Sequence, residues 1–415
     1  MVQALGYISV QPDWPTDVGN ALGGMEDAHA FWVSAYRHER PSIHANIRPV
    51  AAPSQGGAAL VRLDVEGGDV GAEYVGRRQL RLWSTALGIP RALYTAPQRT
   101  VACSRIARGT GVRGFDVSRY GGLIVACGDD GAMDVYEAGS GEHRVRLEGH
   151  LGDVVCCQFF PSGQVVLSGA TDMRLKIWSA ADGTNPVTLT GHTAPITDTA
   201  VVGIGKTVLS AARDGTVRLW NCGAASLVHA FELSAGPVNA IHLPDRGSDD
   251  GGDDGGGVVA AACEDGRVLL LDLDRRDTVA TFGARGETPK RAVAYDPANA
   301  RLAAGLADGS VVVWASDSSD APPIHAFRRG SSPVSALRFV PRAAGAPLIC
   351  VGTEDGQLFL AAVAPSGVDV VEELVAFDIN PISQIRVTPA SATLHGDAAR
   401  QSVWAAGQDG RVCRF

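Results

Sequence analysis

The sequence predicts an all-β protein, a seven-bladed β-propeller preceded by a smaller β-rich domain. Two observations carry that expectation. The first is a tandem repeat, LEGHLGDVVCCQFFPSGQVVLSGATDMRLKIW from Leu147 followed by LTGHTAPITDTAVVGIGKTVLSAARDGTVRLW from Leu189. Gly149-His150 maps onto Gly191-His192, Ser168 onto Ser210, Asp172 onto Asp214 and Trp178 onto Trp220, always 42 residues apart. The second is an Asp followed six residues later by a Trp, Tyr or apolar residue. It occurs at Asp130, Asp172, Asp214, Asp265, Asp308, Asp355 and Asp409, with spacings of 42, 42, 51, 43, 47 and 54. Each follows a short apolar run (LIVAC, QVVLS, TVLSA, VVAAAC, RLAAG, PLICVG, SVWAAG), which reads as a strand.

A period near 40 with a Gly-His start and a terminal Trp is the signature of a blade of the WD40 type. Its chemistry is structural. The tetrads His150, Ser168, Asp172, Trp178 and His192, Ser210, Asp214, Trp220 can each link in one buried, fully satisfied set. Asp accepts from backbone and His, His bonds Ser, and Ser accepts the indole N–H. Ser, His and Asp are also the residue types of a hydrolase triad, but a set that recurs in two blades serves blade closure.

Composition narrows the class. With 45% hydrophobic and 20% charged residues in 415, the chain has ample core. A net charge of −9 argues against a nucleic-acid footprint and favours a basic protein partner. The eight cysteines form no CxxC pair and no spacing with His that suits zinc; Cys127, Cys156, Cys157 and Cys263 fall within apolar strand runs. The N-terminus carries no basic region before an apolar one, and no apolar run approaches the ~20 residues of a membrane span. These features predict an intracellular, reduced, soluble protein with no cofactor, no metal, no nucleic-acid partner and no membrane contact.

In chain order, residues 1–98 lack the repeat. FWVSAYRH (31–38), ALVRLDVE (59–66) and RQLRLWST (78–85) alternate as strands, and RPVAAPSQGG reads as a turn. A separate small β domain is the preferred reading and a degenerate extra blade the alternative; Trp14, Trp32 and Trp83 are assigned to the core. The propeller spans 99–415. Its seventh blade ends on a third strand at Phe415, so a fourth must come from elsewhere, and the segment Arg99–Arg105 is positioned to supply it.

Insertions fall at 245–257 (DRGSDDGGDDGGG), 341–347 and 388–401, all between the first and second strands of their blades and so on the face opposite the Asp turns. Insertions on one face often mark binding, but the acidic-Gly loop has the composition of a solvated tether. Gly109-Thr-Gly111-Val-Arg-Gly114 matches G-x-G-x-x-G, yet a strand, not a helix, is expected after it, so it does not predict a nucleotide site.

With the repeats laid out, the run from Glu148 to Gly183, continuing through Gly223, resembles the proteasomal ATPase-associated factor family. The more specific parts are Asp153 to Gly163 (DVVCCQFFPSG) and Asp198-Thr-Ala-Val-Val202, with FWVSAYRHERPSIHANI in the N-terminal region. The later blades match only as generic repeats. The resemblance implies a non-catalytic chaperone that binds the C-terminal helical domain of a proteasomal ATPase subunit while the regulatory particle is built. It also implies a cytoplasmic and nuclear location, with a monomer as the default for a closed ring. It carries no contact residues across, so geometry must place them. The residue before each turn Asp points to solvent near the channel rim: Asp129, Thr171, Arg213, Glu264, Ala307, Glu354 and Gln408. Asp153 belongs to the same face, and Asp129, Asp153, Glu264 and Glu354 are the candidate acidic contacts. The generic fold equally permits another scaffold role, such as a ubiquitin-ligase substrate receptor or a signalling adaptor. No nucleophile–base pair outside the tetrads predicts an enzyme.

Overall fold

A computed structural model describes residues 2–23, 29–37, 40–52, 60–103, 105–106, 111–119, 121–244, 257–319, 321–342, 345–388 and 401–415. The insertion segments 245–256, 343–344 and 389–400, and Gly109-Thr110 of the glycine motif, lie outside these.

Seven antiparallel sheets follow one another along the chain. Blade 1 comprises Gly114–Val117, Leu123–Cys127, Ala132–Glu137 and His143–Glu148; blade 2 comprises Val154–Phe159, Val165–Ala170, Arg174–Ser179 and Val187–Thr190. Blades 3 to 6 repeat the pattern from Ile196, Val238, Lys290 and Val334, and blade 7 consists of Ile382–Thr388, Ser402–Gly407 and Arg411–Arg414. Arg99–Ala102 pairs antiparallel with Arg411–Arg414 as its fourth strand, and the N–H of Cys103 extends the ladder to the Gly410 carbonyl at 2.8 Å.

The core is divided into layers between blades, because each sheet is apolar on both faces. Seven apolar clusters each span two adjacent blades. One of them joins Phe115, Ile124 and Tyr136 of blade 1 to Trp404, Ala406 and Val412 of blade 7, which closes the ring. An inner strand pairs on one side only, with the second strand of its own blade, so some of its backbone groups need other partners. Side chains of the preceding blade supply them. Asp116 Oδ2 accepts the Phe159 N–H at 2.7 Å, Gln158 Oε1 that of Val201 at 3.1 Å, and Asp198 Oδ2 that of Ile241 at 3.0 Å. His242 Nδ1 accepts the Tyr295 N–H at 3.0 Å, and Gln384 Oε1 accepts Phe115 at 2.9 Å across the seam. Arg386 also bridges that seam to Asp116 at 2.8 Å.

Residues before 99 fold around a core of their own, which includes Ile8, Trp14, Phe31, Ile47, Leu82 and Tyr94. Tyr7–Val10, Phe31–Tyr36, Ile43–Ala52 and Leu60–Gly67 form one sheet. Gly71–Gly76, Gln79–Ser84 and Ile89–Thr95 form a second, which joins blade 6 through parallel pairing of Leu93–Thr95 with Glu372–Leu374. Thus Gln79–Ser84 belongs to an added sheet and not to a blade of the ring. Further attachments are Gln3–Ala4, paired parallel with Phe327–Arg328 on blade 5, and the Gln3 side chain, which donates to the Val368 carbonyl at 2.9 Å.

Two expectations for this region need correction, and one helix joins the expected strands. RPVAA is strand, not turn: Pro49 opposes Leu63, and pairing with Phe31–Tyr36 ends at Ile47, so no ladder bond on that side needs the missing N–H. Trp14–Leu22 is a helix, the one among the described residues, with Pro in its first turn and Trp14, Val18 and Ala21 buried on one face. Trp32 is not core: it alternates with buried Phe31 and Val33 and is 38% exposed. Trp83 is half-buried, with the Arg91 guanidinium 4.2 Å above its ring.

Removing Arg411–Phe415 takes away the partner of Arg99–Ala102 together with buried Val412, Cys413 and Phe415. Each large apolar side chain is worth roughly 1.5–3 kcal/mol, so the truncated chain is expected to melt on the order of 10 °C lower. A thermal melt within about 2 °C of the full chain would show that this strand does not hold the ring.

Candidate functional site

The Asp turns join second to third strands, and the loops between blades emerge beside them, so both build one face. Its rigidity comes from the tetrads. His150 Nδ1 donates to Asp172 at 2.9 Å, its Nε2 accepts from Ser168 at 2.7 Å, and Ser168 accepts the Trp178 indole N–H at 2.8 Å. In blade 3 the distances are 2.7 Å for His192–Asp214, 2.7 Å for His192–Ser210 and 2.8 Å for Trp220–Ser210. Ser168 and Ser210 are fully buried and committed on both sides, which leaves neither free to attack a substrate. Burial pushes both imidazoles below their ordinary pKa against the pull of the Asp, so they are neutral near pH 7.

The remaining blades hold themselves differently. In blade 1, buried Asp134 accepts from His143 at 2.8 Å and from Arg146 at 2.9 Å. In blade 7, Trp404 donates to Thr388 at 3.2 Å. In blade 6, Gly330, Val351 and Ala361 stand at the tetrad His, Ser and Trp positions. Arg329 packs there on the Phe359 ring at 3.8 Å and pairs with Glu373, under Tyr7 from the N-terminal sheet.

In blades 2 to 7 the residue before the turn Asp is fixed by its own backbone. Arg213, Glu264, Ala307, Glu354 and Gln408 donate N–H to the carbonyls of Pro195, Pro237, Pro289, Pro333 and Pro381, each just ahead of an inner strand. Thr171 donates to Asp153 in the same way at 2.9 Å. This recurrent Pro, one residue ahead of each of those five inner strands, is a signal legible in the sequence.

The four candidate acids do not form one cluster. Asp129 is paired with Arg113, and Asp153 lies in the field of the same guanidinium, so these two come together. Glu264, on blade 4, is exposed; it accepts from Asn239 at 2.8 Å and borders an open cleft of about 290 Å³ lined by Ser234–Pro237, Asp265 and Arg285. Glu354 is exposed on blade 6. The acidic contribution is therefore spread around the rim, with Asp129 already neutralised.

Sequence reasoning missed the apolar part of this face. Leu151 is 83% exposed and Met173 is 40% exposed. The available signal was Asp172-Met173, where the other six turns read Asp-Gly.

Other chemistry finds little footing. Among the described residues no group of three His, Cys, Asp or Glu could hold a metal. Burial pushes the Cys103 and Cys263 thiols up to about 12 and those of Cys222 and Cys413 to about 11, the reverse of an activated nucleophile. After Gly114 the chain enters a strand, so the glycine motif has no helix N-terminus to present to a phosphate.

The fold and its repeats define a WD40-repeat propeller protein: the family model "WD domain, G-beta repeat" matches residues 141–179 and 183–221. Proteasomal ATPase-associated factor 1 of Homo sapiens is 30% identical over 160 residues, 38% of this chain and 36% of that protein. Probable proteasomal ATPase-associated factor 1 of Dictyostelium discoideum is 28% identical over 172 residues, 40% of this chain and 35% of its own. The protein of that name in Gallus gallus is 53% identical over 49 residues, 12% of each chain. The chain is similar to these proteasomal ATPase-associated factors, and the matches span about a third of the length of the human and Dictyostelium relatives.

The neutral buried imidazoles make stability depend on pH. His150, His192 and His242 all have native pKa values held below the unfolded value near 6.5, His242 by burial and then by Arg338 and Arg386. Below that value the unfolded chain binds more protons, so stability present above about pH 6.5 falls as pH drops toward the depressed native values, by up to about 1.4 kcal/mol per pH unit for each imidazole. Melting temperature should fall steadily from pH 7 to pH 5. His242→Gln keeps an acceptor of the kind Gln158 and Gln384 supply and should make the slope shallower; an unchanged slope would remove His242 from the account.

Proposed function

We propose that the chain is a non-catalytic binding protein that takes the C-terminal domain of a proteasomal ATPase subunit on its Asp-turn face while the base of the 19S regulatory particle is assembled. The observation that carries this reading is similarity to relatives named for proteasomal ATPase association, in a chain whose two tetrad blades match the WD40 repeat model. Supporting it are a rigid set of turns locked by buried hydrogen bonds, acidic side chains dispersed on the rim, and a chain of net charge −9 that would steer a basic domain. In this reading residues 1–98 form a separate domain, residues 99–415 are the ring, and the protein works as a monomer in cytoplasm and nucleus.

Tagged protein used as bait in lysate, with eluates read by mass spectrometry, should recover one or two proteasomal ATPases without the 20S core. Recovery of ligase components or other scaffolds with no ATPase would overturn the reading. The acidic rim is tested by Asp153→Lys, Glu264→Lys and Glu354→Lys combined, leaving Asp129 because Arg113 depends on it. Association with the captured ATPase domain should slow roughly 10-fold at low ionic strength, with the difference fading in high salt. Equal on-rates at low salt would refute the contribution of the rim.

A further inference from the structure

The geometry points to the tip formed by Leu151 and Met173 on blade 2 as the apolar anchor for an amphipathic helix whose aliphatic stripe is flanked by Lys or Arg. This rests on the binding role proposed above and assigns the part of the face that holds the partner.

The argument begins with a backbone anomaly. The residue after the turn Asp has positive φ in all seven blades. In six it is glycine: Gly131 (70°), Gly215 (81°), Gly266 (94°), Gly309 (84°), Gly356 (86°) and Gly410 (82°). In blade 2 it is Met173 at 64°. An unbranched side chain in the left-handed region is strained, and glycine would relieve it. Several of the other turns have no room for a side chain. A Cβ would lie 2.9 Å from the His150 carbonyl oxygen at Gly131, 2.6 Å from the Gly330 oxygen at Gly309 and 2.4 Å from the Asp378 oxygen at Gly356. Blade 2 therefore departs from its sister blades in both residue and surroundings. The core does not account for it, since Met173 stays 40% exposed.

Leu151 is the second half of the tip. It follows the tetrad His150 and is 83% exposed, while the blade 3 counterpart is the polar Thr193. The same carboxylate holds both residues: Asp172 accepts the Leu151 N–H at 3.0 Å and the Arg174 N–H at 3.1 Å, which clamps Met173 between them. Two apolar side chains are thus presented on a rigid mount, so little ordering entropy is lost when they are covered. Methionine adds a soft surface that adapts to aliphatic partners.

The occupant follows from shape and charge. Among the described residues the face consists of turns and inter-blade loops, with no unpaired strand edge on which an extended peptide could add. A helix that places residues i, i+3 or i+4, and i+7 over a raised apolar tip fits it. Asp153 lies on one side of Leu151, while Glu148 on the other, although its side chain is 68% exposed, is paired with Arg146, and Arg174 is the exposed cation next to Met173. The basic flank of the helix therefore runs along the Leu151–Asp153 side.

The test measures affinity for purified C-terminal helical domains of proteasomal ATPases together with melting temperature. Leu151→Ser should weaken binding at least 10-fold with the melt unchanged, and Leu151→Met should keep most of it. Met173→Gly should weaken binding severalfold while the melt stays the same or rises, because glycine takes the backbone angle without strain. A destabilised fold cannot produce that opposed pair. If the wild-type chain binds these domains and both Leu151→Ser and Met173→Gly bind equally well, the anchor assignment is overturned and the functional reading survives. If the wild-type chain binds none of them, both fall together.

Discussion

The ring depends on how the backbone groups at the unpaired side of each inner strand are satisfied. A sheet wedge packed toward an axis must bring its first strand inward, and that strand has neighbours on one side only. Here five of the seven gaps are filled by the preceding blade, through Asp116, Gln158, Asp198, His242 and Gln384, so each of these hydrogen bonds is also a bond between blades. At Ala294 no side chain can reach forward. There Arg338 of blade 6 reaches back to the Val293 carbonyl at 3.5 Å. The apolar layers supply most of the stabilisation, but they tolerate sliding; the polar links fix the order and height of the blades. Asp198 shows the cost. Burial raises its pKa, and the Ile241 N–H with the Arg338 and Arg386 charges opposes that rise.

The tetrads act on the outer part of the same wedge, and they are unevenly distributed among the blades. Blades 2 and 3 carry complete sets and need no help to hold their turns. Blades 4 and 6 have none of the His, Ser or Trp, and blade 6 is the one onto which the second N-terminal sheet is grafted by parallel pairing. Tyr7 and Tyr94 cover a buried Arg329–Glu373 pair there, and burial beside Glu373 drives the Tyr94 hydroxyl well above its ordinary pKa. A buried pair of this kind specifies a fit more than it adds stability.

Much of the ring was legible because its signals repeat. Asp at a regular spacing and Gly-His ahead of an apolar strand each recur, so chance agreement is small. The N-terminal region has no internal repeat to average over, and its strands were harder to see for local reasons. Ile43–Ala52 contains a proline, Gly71–Gly76 is flanked by glycines, and the Trp14–Leu22 helix is too short for periodicity to stand out. The candidate acids were placed on one face by register alone. Register cannot show that Asp129 is consumed by Arg113, which is set by two loops 16 residues apart meeting in space. The exposed Leu151 and Met173 were overlooked for the opposite reason: the repeat was read for what it shares, whereas their signal is a departure from it.

The N-terminal strands have a consequence for how the molecule comes to be folded. Gln3–Ala4 pairs with Phe327–Arg328, Leu93–Thr95 with Glu372–Leu374, and Arg99–Ala102 with Arg411–Arg414. Blades 1 to 4 are built from contacts within about 50 residues and can form as they emerge from the ribosome. The first hundred residues must wait for the last hundred, and contacts of such sequence separation form slowly. Until then the outer edges of blades 5 and 6 and the second edge of Arg411–Arg414 stand open as unpaired strands, the hazard that chaperones exist to shield. The protein thus has a late, long-range closing step in its own folding.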